Sequence, residues 1–449
     1  MTNTMMTDLT RGSVTKQLLK FAMPLFLSNA LQAIYNIVDM IIVGWCVDGS
    51  GMSAVSTGGE ILHLLTFVAM GFSAAGQVII AKQVGAKEFD RVKKTIGTMF
   101  SFLLIASLTI SVVCFFLREQ ILGWVNTPKL AYDYTMDYTV TCIVGLVFIY
   151  GYNIVSAILR GMGDSKRPFA FIAIAAILNI VLDVIFVMFL DMKVFGAALA
   201  TVIGQAVSFL TSIIYLYKRR ESFCFDFKLQ SFKMEKKALS KIVALGVPMA
   251  IQSAAISMSK VVLLAWINLS GPAFSALAGV FNKISTMSGV ISNSFTTAGS
   301  SMVGQSLGAG KDERVPKVMR TVGVCSLVIT VILSLVMLLF PDMVFGAFTK
   351  DRAVLAISHM IIWPVILNLF GAATRSISFS LINGSGNTKL NLAVAIIDGI
   401  MGRIGLAALL GFGLSMGCSG FWYGDAIAGF VPIVIGMTFF FSGRWRTKR

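Results

Sequence analysis

Apolar runs of about twenty residues recur along the whole of this chain, each long enough to cross a bilayer as a helix. No other feature restricts the fold so strongly. A segment in lipid must satisfy every backbone N–H and C=O internally, which leaves only helices and closed barrels. A barrel would show short segments of alternating polarity instead. The chain is therefore expected to be an all-α membrane protein. Twelve spans are read: Phe21–Trp45, Val55–Ile80, Ile96–Leu117, Tyr138–Leu159, Phe169–Leu190, Val194–Tyr217, Ile242–Leu269, Ala276–Met302, Val322–Phe340, Ile357–Ile382, Leu392–Gly413 and Gly420–Phe441. Charged residues make up 13% of the chain, about half the share usual in soluble domains.

The net charge of +16 invites a reading as a nucleic-acid binder. Its placement excludes that. Of 37 Lys and Arg, 28 fall in the termini and even-numbered loops, five in odd-numbered loops and four inside spans. This asymmetry orients a membrane protein with its basic loops in the cytoplasm. Both termini are expected to be cytoplasmic, in a multi-pass protein of the cell's inner (plasma) membrane. The N-terminus lacks the short apolar core and cleavage site of a secretory signal. Six cysteines are scattered singly, without the spacing of a metal site or disulfide framework. Walker A, kinase and zinc-protease patterns are absent. Neither an enzymatic activity nor a cofactor is expected.

The chain repeats itself. "AAGQVIIAKQVGAKEFDRVKK" from Ala74 resembles "TAGSSMVGQSLGAGKDERVPK" from Thr297, with Gly76, Gly85 and Arg91 matching Gly299, Gly308 and Arg314. "GMGDSK" at Gly161 resembles "GSGNTK" at Gly384. Every pair is 223 positions apart; Pro24 and Pro248 differ by 224. The reading is two pseudo-symmetric six-helix bundles, 1–217 and 242–449, joined by a cytoplasmic linker, 218–241, with eight basic and three acidic residues. Six is even, so both bundles enter the membrane in the same sense, related by a two-fold axis along its normal. Such pairs expose one site to each side in turn, which points to a secondary transporter.

Ionisable residues inside spans are costly, so each is a functional candidate. They are Asp39, Glu60, Asp183, Asp398, Asp425, Lys260, Lys283, Arg375 and Arg403. Asn179 and Asp183, four apart, share one face of the fifth span. Asp39 lies at a similar depth in the first span, and Thr201 in the sixth can add a hydroxyl. If these faces meet, two carboxylates share a low-dielectric chamber. Both cannot ionise cheaply, so a proton or Na⁺ is expected to neutralise the pair. The second half does not repeat the trio: Gly402 and Leu406 stand where Asn179 and Asp183 stand in the first. There, Asp398 and Arg375 share a depth and can pair, while Lys260 lies nearer Asp425. Glu60 and Lys283 are repeat equivalents and form a candidate outer gate. Pro24 and Pro248 remove a helix hydrogen bond from the first helix of each half and permit a kink.

The duplicated twelve-span layout, the proline in span one, "VDMIIVG" after it, "ILRGMGDSKRP" between spans four and five and "LNIVLD" in span five resemble the multidrug and toxic compound extrusion (MATE) family. The resemblance covers nearly the whole chain. It implies two six-helix bundles around a central cleft, and export of amphipathic or cationic organic compounds in exchange for H⁺ or Na⁺. It places Asp39, Asn179 and Asp183 on the family's cation or proton site, with Thr201 beside them, and Tyr150 and Asn153 on the first-half cavity wall. Some members carry an acidic residue in span seven. This chain has Gln252 and Lys260 in that stretch instead, candidates for the second-half cavity. The partners implied are small molecules and membrane lipid, for a chain working as a monomer. The alternative is a lipid-linked oligosaccharide flippase of the same superfamily, whose anionic headgroup would use Lys260, Lys283 and Arg403.

Overall fold

The apolar runs form helices, and the helices outrun them. Hydropathy falls at the first polar turn, whereas i→i−4 bonding continues until a cap or a glycine stops it. The structure, a computed structural model, describes residues 6–47, 49–125, 127–349 and 351–446. Its long helices are α1 (Val14–Cys46), α2 (Gly49–Gly85), α3 (Phe89–Phe116), α4 (Tyr132–Gly161), α5 (Lys166–Phe189), α6 (Lys193–Lys218), α7 (Lys236–Asn268), α8 (Pro272–Gly308), α9 (Val315–Leu339), α10 (Ile362–Ser385), α11 (Thr388–Gly413) and α12 (Gly417–Phe441). No strand occurs among the described residues. All of these except α8 fall in segments long and apolar enough to span a membrane. Helix α8 has the same 37 residues as α2 but is rich in serine. Three of its hydroxyls return to its own backbone, Ser294 to Val290 O, Ser300 to Thr296 O and Ser306 to Met302 O, each at 2.7 Å, and Ser292 donates to Ala372 O on α10 at 2.7 Å. That bonding lowers the cost of polar side chains in an apolar setting.

The 223-residue repeat is a repeat of contacts. A Cβ on Gly161 would stand 2.7 Å from Gln77 O and 3.0 Å from the Ile80 side chain. One on Gly384 would stand 2.9 Å from Ser300 O and 2.7 Å from the Val303 side chain. Gln77 and Ile80 on α2 are the repeat equivalents of Ser300 and Val303 on α8. Both glycines let two helices approach backbone to backbone, as small residues do in membranes. The next turn repeats as well. Gly163 and Gly386 take φ of +85° and +69°, conformations that favour glycine. The following residue's side chain accepts from the first turn of the next helix in both halves: Asp164 from Lys166 N at 3.1 Å, and Asn387, the N-cap, from Leu390 N at 3.1 Å. Replacing Gly161 or Gly384 by Ala is expected to cost about 1–3 kcal/mol, because a backbone carbonyl cannot yield as a side chain can. The unfolding midpoint of each variant in detergent checks this.

Packing divides the chain differently from the sequence halves 1–217 and 242–449. Among the described residues, one unit comprises Met23–Gly246 with Met6 and Thr7; the other comprises Asp8–Ala22 and the residues from Val247 to Arg446. The divisions fall inside α1 and α7, within two residues of Pro24 and Pro248. In the second unit, the segment before α1 is held by side chains near the start of α9. Arg314 donates to Leu9 O, Gly12 O and Gln17 Oε1 at 3.2, 3.0 and 2.8 Å, and Lys311 Nζ to Thr10 O at 3.0 Å. The first unit is built around α4, 78% buried over its most apolar stretch against 28% for α3. The linker docks on α3, with Phe225 and Phe232 against Phe100 and the Asp226 carboxylate 2.7 Å from Lys93 Nζ.

Lys93, and after it the Ser231 hydroxyl, hold the Asp226 carboxyl well below the usual carboxylate range. A carboxyl depressed on folding stabilises the docked linker above its unfolded pKa of about 3.9, and that contribution is lost as pH falls through the folded value. Asp226→Asn is accordingly expected to speed amide hydrogen exchange across 226–236 at neutral pH. Wild type should approach the variant only under strongly acidic conditions.

Candidate functional site

Four helices of the first unit each carry two reactive or polar side chains one turn apart on one face. They are Tyr35 and Asp39 on α1, Tyr138 and Cys142 on α4, Asn179 and Asp183 on α5, and Thr201 and Gln205 on α6. These faces converge. All eight side chains are buried, Asp39 at 2%, Asn179 at 3% and Asp183 at 0% exposure. Asn179 Nδ2 donates to Thr201 Oγ1 at 3.4 Å, and Thr201 Oγ1 donates to Asp39 Oδ2 at 3.3 Å. Gln205 Nε2 lies 3.5 Å from Tyr35 Oη. The carboxyls of Asp39 and Asp183 lie close enough to share a hydrogen bond when one of them holds a proton.

Local structure sets this geometry. A Cβ on Gly204 would sit 3.1 Å from Ala175 O and 3.5 Å from Asn179 Cβ, so the glycine lets α6 press on α5 beside the amide. Helix α5 changes from α to π winding at Val184, directly after Asp183. Such widened turns are frequent at functional sites.

The polar chain leaves a deficit. Asp39 Oδ1, Asn179 Oδ1 and both oxygens of Asp183 have no hydrogen-bond partner among the described residues. Buried acceptors are normally satisfied, and buried charges paired. Here acceptor oxygens of two carboxyls and an amide gather without a donor. The arrangement suits a proton on the acid pair or a small cation among the oxygens.

The structure thus brings together Asp39, Asn179, Asp183 and Thr201, and adds Tyr35, Tyr138, Cys142 and Gln205, which sequence reasoning missed. The signal was present: Tyr35 stands four before Asp39 and Gln205 four after Thr201. Being neutral, they drew no attention as costly groups. The other candidates lie elsewhere. Tyr150, placed on a cavity wall by resemblance, is instead wholly buried in the first unit's apolar core, its hydroxyl donating to Leu65 O at 2.8 Å. Asn153 is half-buried and donates to Ile149 O at 2.8 Å. Gln252 is buried in α7, with Nε2 lacking a partner among the described residues. Glu60 on α2 and Lys283 on α8 are exposed, each within its own unit. Pro24 and Pro248 lie inside α1 and α7.

The second unit holds an ionic network. Arg403 on α11 bonds Asp425 on α12 and lies 3.6 Å from Asp398; Arg375 on α10 lies 3.8 Å from Asp398. Asp398 sits in a π-wound stretch, Ile397–Gly402, as Asp183 sits beside one. Lys260 lines a cavity with Asp425.

Comparison with known proteins agrees with this architecture. The family model described as MatE matches residues 24–185 and 248–421, one match in each half. The probable multidrug resistance protein YoeA of Bacillus subtilis is 27% identical, over 98% of this chain and 96% of that one. The probable multidrug resistance protein YpnP of the same organism is 30% identical, over 69% and 68%. The fold matches, at a TM-score of 0.90 and 22% identity over 99% of both chains, a MOP superfamily transporter from Pyrococcus furiosus described as having a binding pocket of reverse polarity. The long apolar helices make the chain a multi-pass membrane protein, and the matched halves make it a member of the MatE family of multidrug and toxic compound extrusion transporters.

Proposed function

We propose that the protein is a secondary active exporter of amphipathic or cationic organic compounds, driven by a proton or Na⁺ that loads the acid pair Asp39–Asp183. The observation that carries this reading is the set of unpartnered acceptor oxygens on Asp39, Asn179 and Asp183. A buried carboxyl pair stays costly until something positive joins it. Loading and release of a cation therefore change the energy of this unit by several kcal/mol. A ligand moves a conformational equilibrium only by its differential affinity for the two states. A site whose loading is worth this much is a suitable lever.

The names of the relatives support multidrug compounds as the cargo. The basic loops support an orientation with both termini in the cytoplasm and export outward across the cell membrane. Proteoliposomes loaded with a fluorescent organic cation test the reading under separately imposed Na⁺ and pH gradients. One gradient is expected to drive efflux and the other not, which identifies the ion. Efflux indifferent to both would remove ion coupling. Movement of a labelled polyprenyl-pyrophosphate lipid in place of the dye would favour a flippase.

A further inference from the structure

The second unit's network is unbalanced. Arg375, Arg403 and Lys260 bring three positive charges; Asp398 and Asp425 bring two negative ones. Asp398 and Asp425 are both committed to arginines. Lys260, half-buried on α7, has no carboxylate within 4.0 Å among the described residues.

A second donor stands on the same wall. Lys260, Asn282, Trp422 and Asp425 line a cavity of about 20 Å³, room for roughly one small polar group, backed by Leu263 and Phe281. Trp422 is 1% exposed, and its indole N–H has no acceptor among the described residues. An indole N–H donates only, and a lysine ammonium donates three times and never accepts. The one carboxylate on the wall, Asp425, already bonds Arg403. The cavity thus offers donors and one surplus positive charge beside an apolar and aromatic wall. The first unit's site shows the opposite deficit, unpartnered acceptor oxygens on Asp39, Asn179 and Asp183.

We propose that this cavity binds the carboxylate of an aromatic or otherwise apolar compound, and so admits zwitterionic and acidic cargo alongside cations. The proposal rests on the exporter reading for its purpose; the binding itself does not depend on transport. One carboxylate oxygen accepts from Lys260 Nζ and the Trp422 N–H, and the charge balances the network; the cavity holds the carboxylate alone, with the ring extending from its mouth.

Isothermal titration of the purified full-length protein in detergent, without any gradient, tests the site alone, so a failure of ion coupling would leave the result untouched. The probes are benzoate, benzamide and benzylamine. Benzoate is expected to bind at least ~10-fold more tightly than the other two: benzamide offers an acceptor oxygen but no charge to balance the surplus cation, and protonated benzylamine offers neither. Lys260→Gln should reduce benzoate to the level of benzamide, and Lys260→Arg should preserve the preference. Trp422→Phe, which keeps the ring and loses the N–H, should weaken benzoate and leave benzylamine unchanged. Should Lys260→Gln not fold, the Lys260→Arg and Trp422→Phe pair carries the test. Equal affinity for benzoate and benzamide in wild type would overturn the proposal, as would a benzoate affinity unmoved by Lys260→Gln or, in the absence of that variant, by Trp422→Phe. Chloride competing as effectively as benzoate would overturn the carboxylate assignment; chloride much weaker than benzoate supports it.

Discussion

Asp183→Asn is expected to abolish the response of efflux to an imposed ion gradient while leaving the protein folded. The substitution keeps the shape of the side chain and turns a buried carboxyl with two unpartnered oxygens into a neutral amide. The remaining acid, Asp39, then has an amide donor in place of a second carboxyl, and one negative charge is left where two competed. The pair's strong demand for a cation disappears. An ion with equal affinity for both access states shifts nothing, however steep its gradient. The ratio of efflux with the gradient to efflux without it should therefore fall to about 1. Asp39→Asn should behave alike, since the two carboxyls act as one unit. Thr201→Val should be milder: it removes the hydroxyl between Asn179 and Asp39 but keeps both acids. Gradient-driven efflux persisting in Asp183→Asn at the wild-type ratio would eliminate this pair from the coupling step.

Arg403→Met is expected to be the most destabilising single change in the second unit. Arg403 is 1% exposed and holds Asp425 and Asp398, exposed by 3% and 0%. Removing the guanidinium strands Asp425 without a partner and leaves Asp398 to the more distant Arg375. Breaking a buried pair from one side typically costs about 3–5 kcal/mol, because the surviving charge stays buried. Replacing both members with apolar residues removes the stranded Asp425 charge and leaves Asp398 paired with Arg375. Arg403→Met with Asp425→Leu should therefore recover most of the loss, and the unfolding midpoints of the single and double variants measure the difference. If Arg403→Met unfolded at the wild-type temperature, the network would be ornamental to stability.

Much of the architecture was legible from residue order because it depends on local chemistry. An apolar run in lipid must become a helix to bond its own backbone. The 223-residue repeat was legible because Gly161 and Gly384 perform the same task, and a glycine in a backbone-to-backbone contact has no substitute. Helix α8 shows a limit: the apolar run reads only from Ala276 to Met302, whereas serine-rich turns whose hydroxyls return to the helix at Ser300 and Ser306 carry it to Gly308. Tyr150 shows another: the resemblance alone sets it on a cavity wall, and only the fold shows a carbonyl on α2 accepting from its hydroxyl. Glu60 and Lys283 were costly and equivalent in the repeat, yet equivalence says nothing about where a side chain points.

By itself the sequence determined that this protein lives in a bilayer, that it is helical, that it is duplicated, and that Asn179 and Asp183 share a face. Those conclusions follow from the solvent and from the 3.6-residue turn, which act within one segment. Only the tertiary structure decided that the faces of α1, α4, α5 and α6 meet, leaving Asp39 Oδ1, Asn179 Oδ1 and both Asp183 oxygens without donors. It alone decided that the opening turns of α1 and α7 pack outside their own halves, and that Trp422 stands with Lys260 at one cavity. Contacts between helices depend on rotation and approach, set by glycines and side-chain shapes from segments far apart in the chain, and no single stretch of residues contains that information.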